Sequence, residues 1–131
     1  GGAVMRVFTG ASIALAEINK LRSEGVDIRA AVASKTDEPG WAKFCMDQMI
    51  VEDGTTLSKC FGSRVEIAFE NKKYHLRRLQ KATKIPLDRM VFFDNEYGNI
   101  RSVGSLGVKC IYTPDGMQKE HWEEAKAHFD L

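Results

Sequence analysis

The sequence predicts an α/β protein built on a parallel sheet, and three observations carry that prediction. Residues 28–33 (IRAAVA) and 90–93 (MVFF) are short apolar runs with β-branched, aromatic or small members, the pattern of strands buried on both faces. Segments of helical periodicity alternate with them, as in βαβ units. Each run stops abruptly at polar residues, Ser34-Lys35-Thr36 after the first and Asp94-Asn95-Glu96 after the second. In open α/β sheets that carboxyl edge is where ligands bind.

Taken in order, residues 3–9 form a short extended entry. Residues 12–22 are an amphipathic helix, with Ile13, Ala14, Ile18 and Leu21 on one stripe, and Gly25 lies just past its end as a C-terminal stop. The strand 28–33 follows, its small residues suited to close helix packing on both faces. Asp37-Glu38-Pro39-Gly40 turns into a helix over 41–50 carrying Trp41, Phe44 and Cys45, with Pro39 near its start. Residues 51–59 read as a polar loop packed down by Cys60 and Phe61. Val65, Ile67 and Phe69 alternate through a short strand over 64–69. Asn71 is an N-cap for a helix over 72–83, with Leu76 and Leu79 on its buried side. Pro86-Leu87-Asp88 turns into the strand 90–93. A short helix over 99–105 ends at Gly107, a last strand covers 108–112, and 118–129 is a final helix with Trp122, Ala125 and Phe129 on one stripe.

The chain has 131 residues, enough for one domain. Its 44% hydrophobic and 28% charged content is that of a soluble globular protein. A net charge of +1 gives no reason to expect nucleic acid or a membrane as partner. No apolar run approaches the ~18 residues of a membrane span, and no signal peptide is visible. Cys45, Cys60 and Cys110 are odd in number, widely spaced and without a CxxC pair, which reads as reduced thiols of an intracellular, cytoplasmic protein.

The two strand ends carry the candidate chemistry. Asp94 and Asn95 offer oxygen donors of the kind a hard cation such as Mg²⁺ takes, or they cap the following helix. Phosphoryl transfer needs neutralisation of charge on three equatorial oxygens and an in-line nucleophile. The Ser34 hydroxyl, with the backbone N–H groups after it, can bind a phosphate oxygen. Lys72 can set a compact positive charge at a helix N-terminus, itself attractive to anions. Lys35 and Thr36 are further candidates for phosphate contact, and Lys73 stands beside Lys72 as an alternative.

Strand-Ser, Lys at a helix start, then strand-Asp-Asn, in that order, resembles the haloacid dehalogenase superfamily of phosphohydrolases, and within it the magnesium-dependent phosphatase family. The matching text includes LRSEGVDIRAAVASKTDEP, KKYHLRRLQKATKIPLDRMVFFDNEYGNI and SLGVKCIYTPDGM, and it runs from about Val7 onward. The resemblance implies a Rossmannoid three-layer α/β sandwich and a Mg²⁺-dependent acid phosphatase, hydrolysing phosphotyrosine-like or sugar phosphates through an aspartyl-phosphate. It assigns phosphate contact to Ser34, Lys35 and Lys72, and the metal to Asp94 and Asn95. With IP and FFD held in register, Lys72 matches the family lysine.

The sequence departs from that family at its nucleophile, and Asn95 stands where the family often has a second aspartate, an amide that adds no charge. The nucleophile and the general acid belong to an Asp-x-Asp motif at the end of a central first strand. The aspartates here are 27, 37, 47, 53, 88, 94, 115 and 130, and no two are two apart. No residue is therefore assigned as catalytic. The expected fold lacks that central strand between the 28–33 and 90–93 strands, whose unpaired backbone groups would each cost about 1–3 kcal/mol if buried. A second chain or a further segment would complete the sheet. The alternative function is a non-catalytic pseudophosphatase or truncated isoform that binds a phosphate or a partner without turnover.

Overall fold

A computed structural model describes residues 9–36, 38–68 and 70–131. Residues 3–8 of the expected extended entry over 3–9, Asp37 of the turn and Phe69 of the second strand lie outside the described residues, and Thr9 belongs to the first helix instead.

Helix α1 (Thr9–Ser23) buries Ala14, Leu15 and Ile18. Gly25, at φ +90°, stops it in the left-handed region that glycine adopts without strain. The final helix α6 (Lys119–Phe129) packs against α1. Trp122 and Ala125 meet the α1 stripe in one core cluster, and the Trp122 indole N–H donates to Glu17 at 2.6 Å. Gly10 makes the approach possible: a Cβ there would stand 2.2 Å from the carbonyl carbon of Gln118.

Strand β1 (Val32–Ser34) pairs in parallel with β2 (Val65–Ile67), Ser34 opposite Ile67. Strand β3 (Val91–Asp94) pairs in parallel with β4 (Lys109–Tyr112), Asp94 opposite Tyr112. The two pairs are separate two-stranded sheets among the described residues, and the expected strands 28–33 and 90–93 do not pair with each other. The first strand is shorter than the expected 28–33. The β2 partner supplies only three residues and follows a turn at Gly62, at φ +57°. Ahead of β1, the Ala30 carbonyl accepts from the Arg64 guanidinium at 2.7 Å, so a side chain takes the place of a ladder bond. Residues 28–31 and 90–93 both line an open cleft of about 720 Å³, with Leu76, Leu79 and Trp122 among its other walls.

Between the strands lie α2 (Pro39–Gln48) and α3 (Leu57–Phe61). The latter corrects the expected polar loop over 51–59: Thr56 caps it, accepting from the Lys59 N–H at 3.2 Å, and Cys60 and Phe61 bury its inner side. Helix α4 (Lys72–Thr83) has the expected bounds. Asn71 caps it by accepting from the Lys73 N–H at 3.0 Å, and Lys84 ends it at φ 61°. It packs on β1, on β2 and on α5 (Tyr97–Gly104), and so reaches both strand pairs. The α4 residue Leu76 joins Phe92, Val103 and Val108 in a second core cluster. No described helix is long and apolar enough to cross a membrane, and Cys60 and Cys110 carry free thiols.

His75 on α4 is wholly buried, and among the described residues neither ring nitrogen makes a hydrogen bond of ordinary geometry. Its nearest opposite charge is Glu70, 3.9 Å from Nε2. Burial and then the Arg78 charge hold its pKa below the ordinary 6.5, with Glu70 and Glu66 opposing. The folded state keeps the ring neutral, while the unfolded chain takes up a proton near the ordinary value. The contribution of His75 to stability is therefore complete above about pH 6.5 and is lost as pH falls below it. Urea unfolding at pH 7.5 and pH 5.5 should show a drop in stability that is smaller in His75→Gln. An equal drop in the two proteins would mean that His75 is not the group responsible.

Candidate phosphate and metal site

The ends of β1 and β3 meet the N-terminus of α4. A pocket of about 510 Å³ is lined by Val32, Ala33, Ser34, Lys35, Lys72, Asn95, Glu96 and Asn99. Ser34 is the last residue of β1 and Asp94 the last of β3, so both strand ends arrive at the same place. The Asn71 cap sets the first turn of α4 there, and the Ser102 hydroxyl of α5 donates to the same Asn71 oxygen at 2.6 Å.

Asp94 lies just behind the pocket, 6% exposed. Its Oδ2 accepts from the Lys72 ammonium at 2.5 Å. Its Oδ1 accepts from the Glu96 backbone N–H at 2.8 Å and from the Asn99 amide at 3.3 Å. The first of these is an Asx turn. It starts α5 at Tyr97 rather than at the expected residue 99. The turn bond and the ion pair are thus made by different oxygens of one carboxylate, and the N-cap of α5 is Glu96, which makes no side-chain cap bond.

Ser34, Lys35, Lys72 and Asn95 share the pocket, and Asp94 reaches it through Lys72. Lys35 and Asn95 are exposed, and Lys72 is partly buried, its side chain 14% exposed. Geometry separates the two adjacent lysines: the Lys73 ammonium stands 5.2 Å from the ring centre of Tyr74, whereas the Lys72 ammonium faces Asp94 and lies 5.8 Å from the Phe92 ring centre. Thr36 accepts from the Glu38 N–H at 3.0 Å and is not among the pocket residues.

Sequence reasoning missed Asn99, whose amide bridges Asp94 Oδ1 and Glu96 Oε2, 3.3 Å from each. No local signal marked it, because the sequence reading starts this helix at residue 99 whereas it starts at Tyr97. Cys110, opposite Phe92 in the β ladder, has its thiol pushed up by burial, Lys109 opposing and Asp94 adding to the rise. It stays a protonated thiol at neutral pH.

The chemistry such a pocket can perform is anion capture, through one ammonium at a helix N-terminus, a second exposed lysine, a hydroxyl and backbone N–H groups. The metal side is thinner. No group of three His, Cys, Asp or Glu residues able to hold a metal occurs among the described residues. Mg²⁺ needs few protein ligands, often one or two carboxylates with substrate phosphate and water. Asp94 with Asn95 therefore fits as a partial shell, whose carboxylate already has a counter-ion.

A strand-end serine and a helix-start lysine thus share one pocket of an α/β fold, with a strand-end aspartate paired to that lysine. The family model described as acid phosphatase matches residues 1–130, and the chain belongs to that family, in agreement with the resemblance in its sequence. It is 38% identical over 100 residues to magnesium-dependent phosphatase 1 of Homo sapiens, a match covering 76% of this chain and 52% of that protein. The chain thus spans about half the length of that curated relative.

Removing the carboxylate should expose the energetics of the pair. Asp94→Ala leaves a partly buried ammonium without its partner and frees the Glu96 N–H, so a loss of about 3–5 kcal/mol is expected. Asp94→Asn keeps an acceptor for the turn and should lose less. Denaturant unfolding checks both, and a loss for Asp94→Ala in the ~0–1 kcal/mol range of exposed pairs would mean that water already solvates this one.

Proposed function

We propose that this chain carries the phosphate-binding side of a Mg²⁺-dependent phosphomonoester hydrolase. The observation that carries the proposal is the joint pocket of Ser34, Lys35 and Lys72 over Asp94. In it Lys72 neutralises one phosphate oxygen, Ser34 donates to another, and Lys35 adds charge at the mouth. Asp94 and Asn95 would hold Mg²⁺, which supplies charge neutralisation to the phosphoryl group when bound. Asn99 and the Glu96 N–H hold the Asp94 carboxylate in position for that task.

The substrates are phosphotyrosine-like or sugar phosphates, and the protein acts in the cytoplasm without nucleic-acid or membrane partners. Its architecture is a three-layer sandwich in a single domain. The open cleft between residues 28–31 and β3 receives an extended segment, from this protein or a second chain, that joins the two strand pairs into one parallel sheet. The apolar lining on both sides of the cleft supports this, as does the parallel pairing of the strands beside it. By themselves these 131 residues bind phosphate without turnover, because no Asp-x-Asp carboxylate stands in the sequence to act as nucleophile.

Two measurements test this. With Mg²⁺ present, p-nitrophenyl phosphate should not be hydrolysed above background by the 131-residue chain; a Mg²⁺-dependent rate abolished by Asp94→Ala would mean that another residue serves as nucleophile. Calorimetric titration should find inorganic phosphate bound more tightly than Mg²⁺, since a single carboxylate already paired with Lys72 holds the metal poorly. Tight Mg²⁺ binding with no response to phosphate would reverse the proposed order.

A further inference from the structure

Helix α4 carries positive charge that no described carboxylate neutralises. Its sequence, KKYHLRRLQKAT, holds five Lys and Arg residues and no Asp or Glu. Two of these cations have partners: Lys72 pairs with Asp94, and Arg78 takes both Glu66 and Glu70. Lys73, Arg77, Lys81 and the capping Lys84 make no ion pair among the described residues. Lys73, Arg77 and Lys81 stand four residues apart, on successive turns of one face, and Lys84 continues the row at the C-terminal end. Arg77, Lys81 and Lys84 are exposed and Lys73 is half-buried, while His75, Leu76 and Leu79 bury the opposite face. An ordinary solvated helix sets acidic and basic residues three or four apart, because like charges at that spacing repel. The last helix does so, Lys126 of α6 pairing with Glu123. Lys73 also stands in the first turn of α4, where the helix dipole disfavours a cation. The row is therefore a cost within this chain that an anion lying along it removes.

We propose that the row Lys73, Arg77, Lys81 and Lys84 docks an extended acidic segment of a partner protein. The inference stands on this face of α4 alone and does not depend on the phosphate pocket. Successive cations of the row lie ~6 Å apart along the helix. Alternate side chains of an extended segment lie ~6.6 Å apart on one of its faces. Carboxylates at every second position of such a segment therefore meet Lys73, Arg77 and Lys81 in turn. Nucleic acid fits less well, since domains that hold it carry a large excess of positive charge, and this chain has 19 basic against 18 acidic residues. A membrane surface would need apolar side chains beside the basic ones to enter the interface, and the apolar side of α4 is committed to the core. The row begins at the residue after the pocket lysine, whose ammonium faces Asp94, so a partner held along α4 leaves the pocket open.

The test is fluorescence anisotropy of the 131-residue chain with a labelled peptide that alternates Glu and Ser, beside the same peptide with Gln for Glu. At ~0.1 M salt the Glu peptide should bind about 10-fold more tightly than the Gln peptide, and ~0.5 M salt should abolish the difference. Arg77→Glu/Lys81→Glu should weaken the Glu peptide by about 10-fold, two attractions having become repulsions. Lys20→Glu/Arg22→Glu changes the net charge equally on exposed residues of α1 and should change that affinity less than about 2-fold. Both variants alter exposed side chains, and circular dichroism checks that they fold. NMR shifts on binding should map to the outer face of α4 and leave Ser34 and Asn95 unmoved. Equal binding of the two peptides, an equal loss in the two double variants, or shifts centred on Ser34 and Asn95 would overturn the docking row. So would tighter binding of an oligouridylate or of phosphatidylserine vesicles that is lost in Arg77→Glu/Lys81→Glu.

Discussion

The ion pair of Lys72 with Asp94 fixes the geometry of everything at this edge of the protein. It ties the first residue of α4 to the last residue of β3. The other carboxylate oxygen ties β3 to the first turn of α5. Three elements thus converge on one side chain that is 3% exposed. Desolvating both charges costs several kcal/mol, and their attraction offsets this only when the remaining hydrogen-bonding capacity is met. Here the Glu96 N–H and the Asn99 amide meet it.

Helix α4 transmits that constraint to the other strand pair. It contacts β1 and β2 as well as α5, and its cap is shared with Ser102 of α5. The position of Ser34 relative to Lys72 is therefore set by helix packing rather than by a continuous sheet. Leu76 anchors α4 in the cluster with Phe92, Val103 and Val108. The α1–α6 contact holds a separate cluster, whose members Ala14, Leu15, Ile18, Trp122 and Ala125 line the cleft. The cleft lies between two well-packed bodies of side chains, which keeps its apolar lining available.

What could be read from the sequence follows from how local each signal is. Helix α4 was legible in full because Asn71 supplies its cap and Leu76 and Leu79 its stripe, both within one turn or two of the chain. The abrupt change from Phe93 to Asp94 marked the end of β3, and the strand end did carry the polar cluster. The 28–33 strand was overestimated because a ladder needs a neighbour. Apolar character at Ile28 and Ala30 cannot reveal that Arg64, thirty-four residues away from Ala30, takes the carbonyl instead. Helix α3 escaped notice because its five residues are too few to display a period. Asn99 was invisible for a similar reason: its role depends on where the first turn of α5 starts, and that start depends on the Asx turn at Asp94.

The two oxygens of Asp94 separate a structural role from a chemical one. Oδ1 belongs to the turn, held by Glu96 and Asn99 in bonds that involve no charged donor. Oδ2 belongs to Lys72 alone among the described contacts. An anion that draws the ammonium toward the pocket would release Oδ2 without disturbing the turn, since Oδ1 remains bonded. The carboxylate would then present one fixed, uncompensated oxygen beside the bound anion, the arrangement that attracts a cation. If the site takes both ions as proposed, anion and cation bind there with positive coupling, each removing the partner that the other must displace.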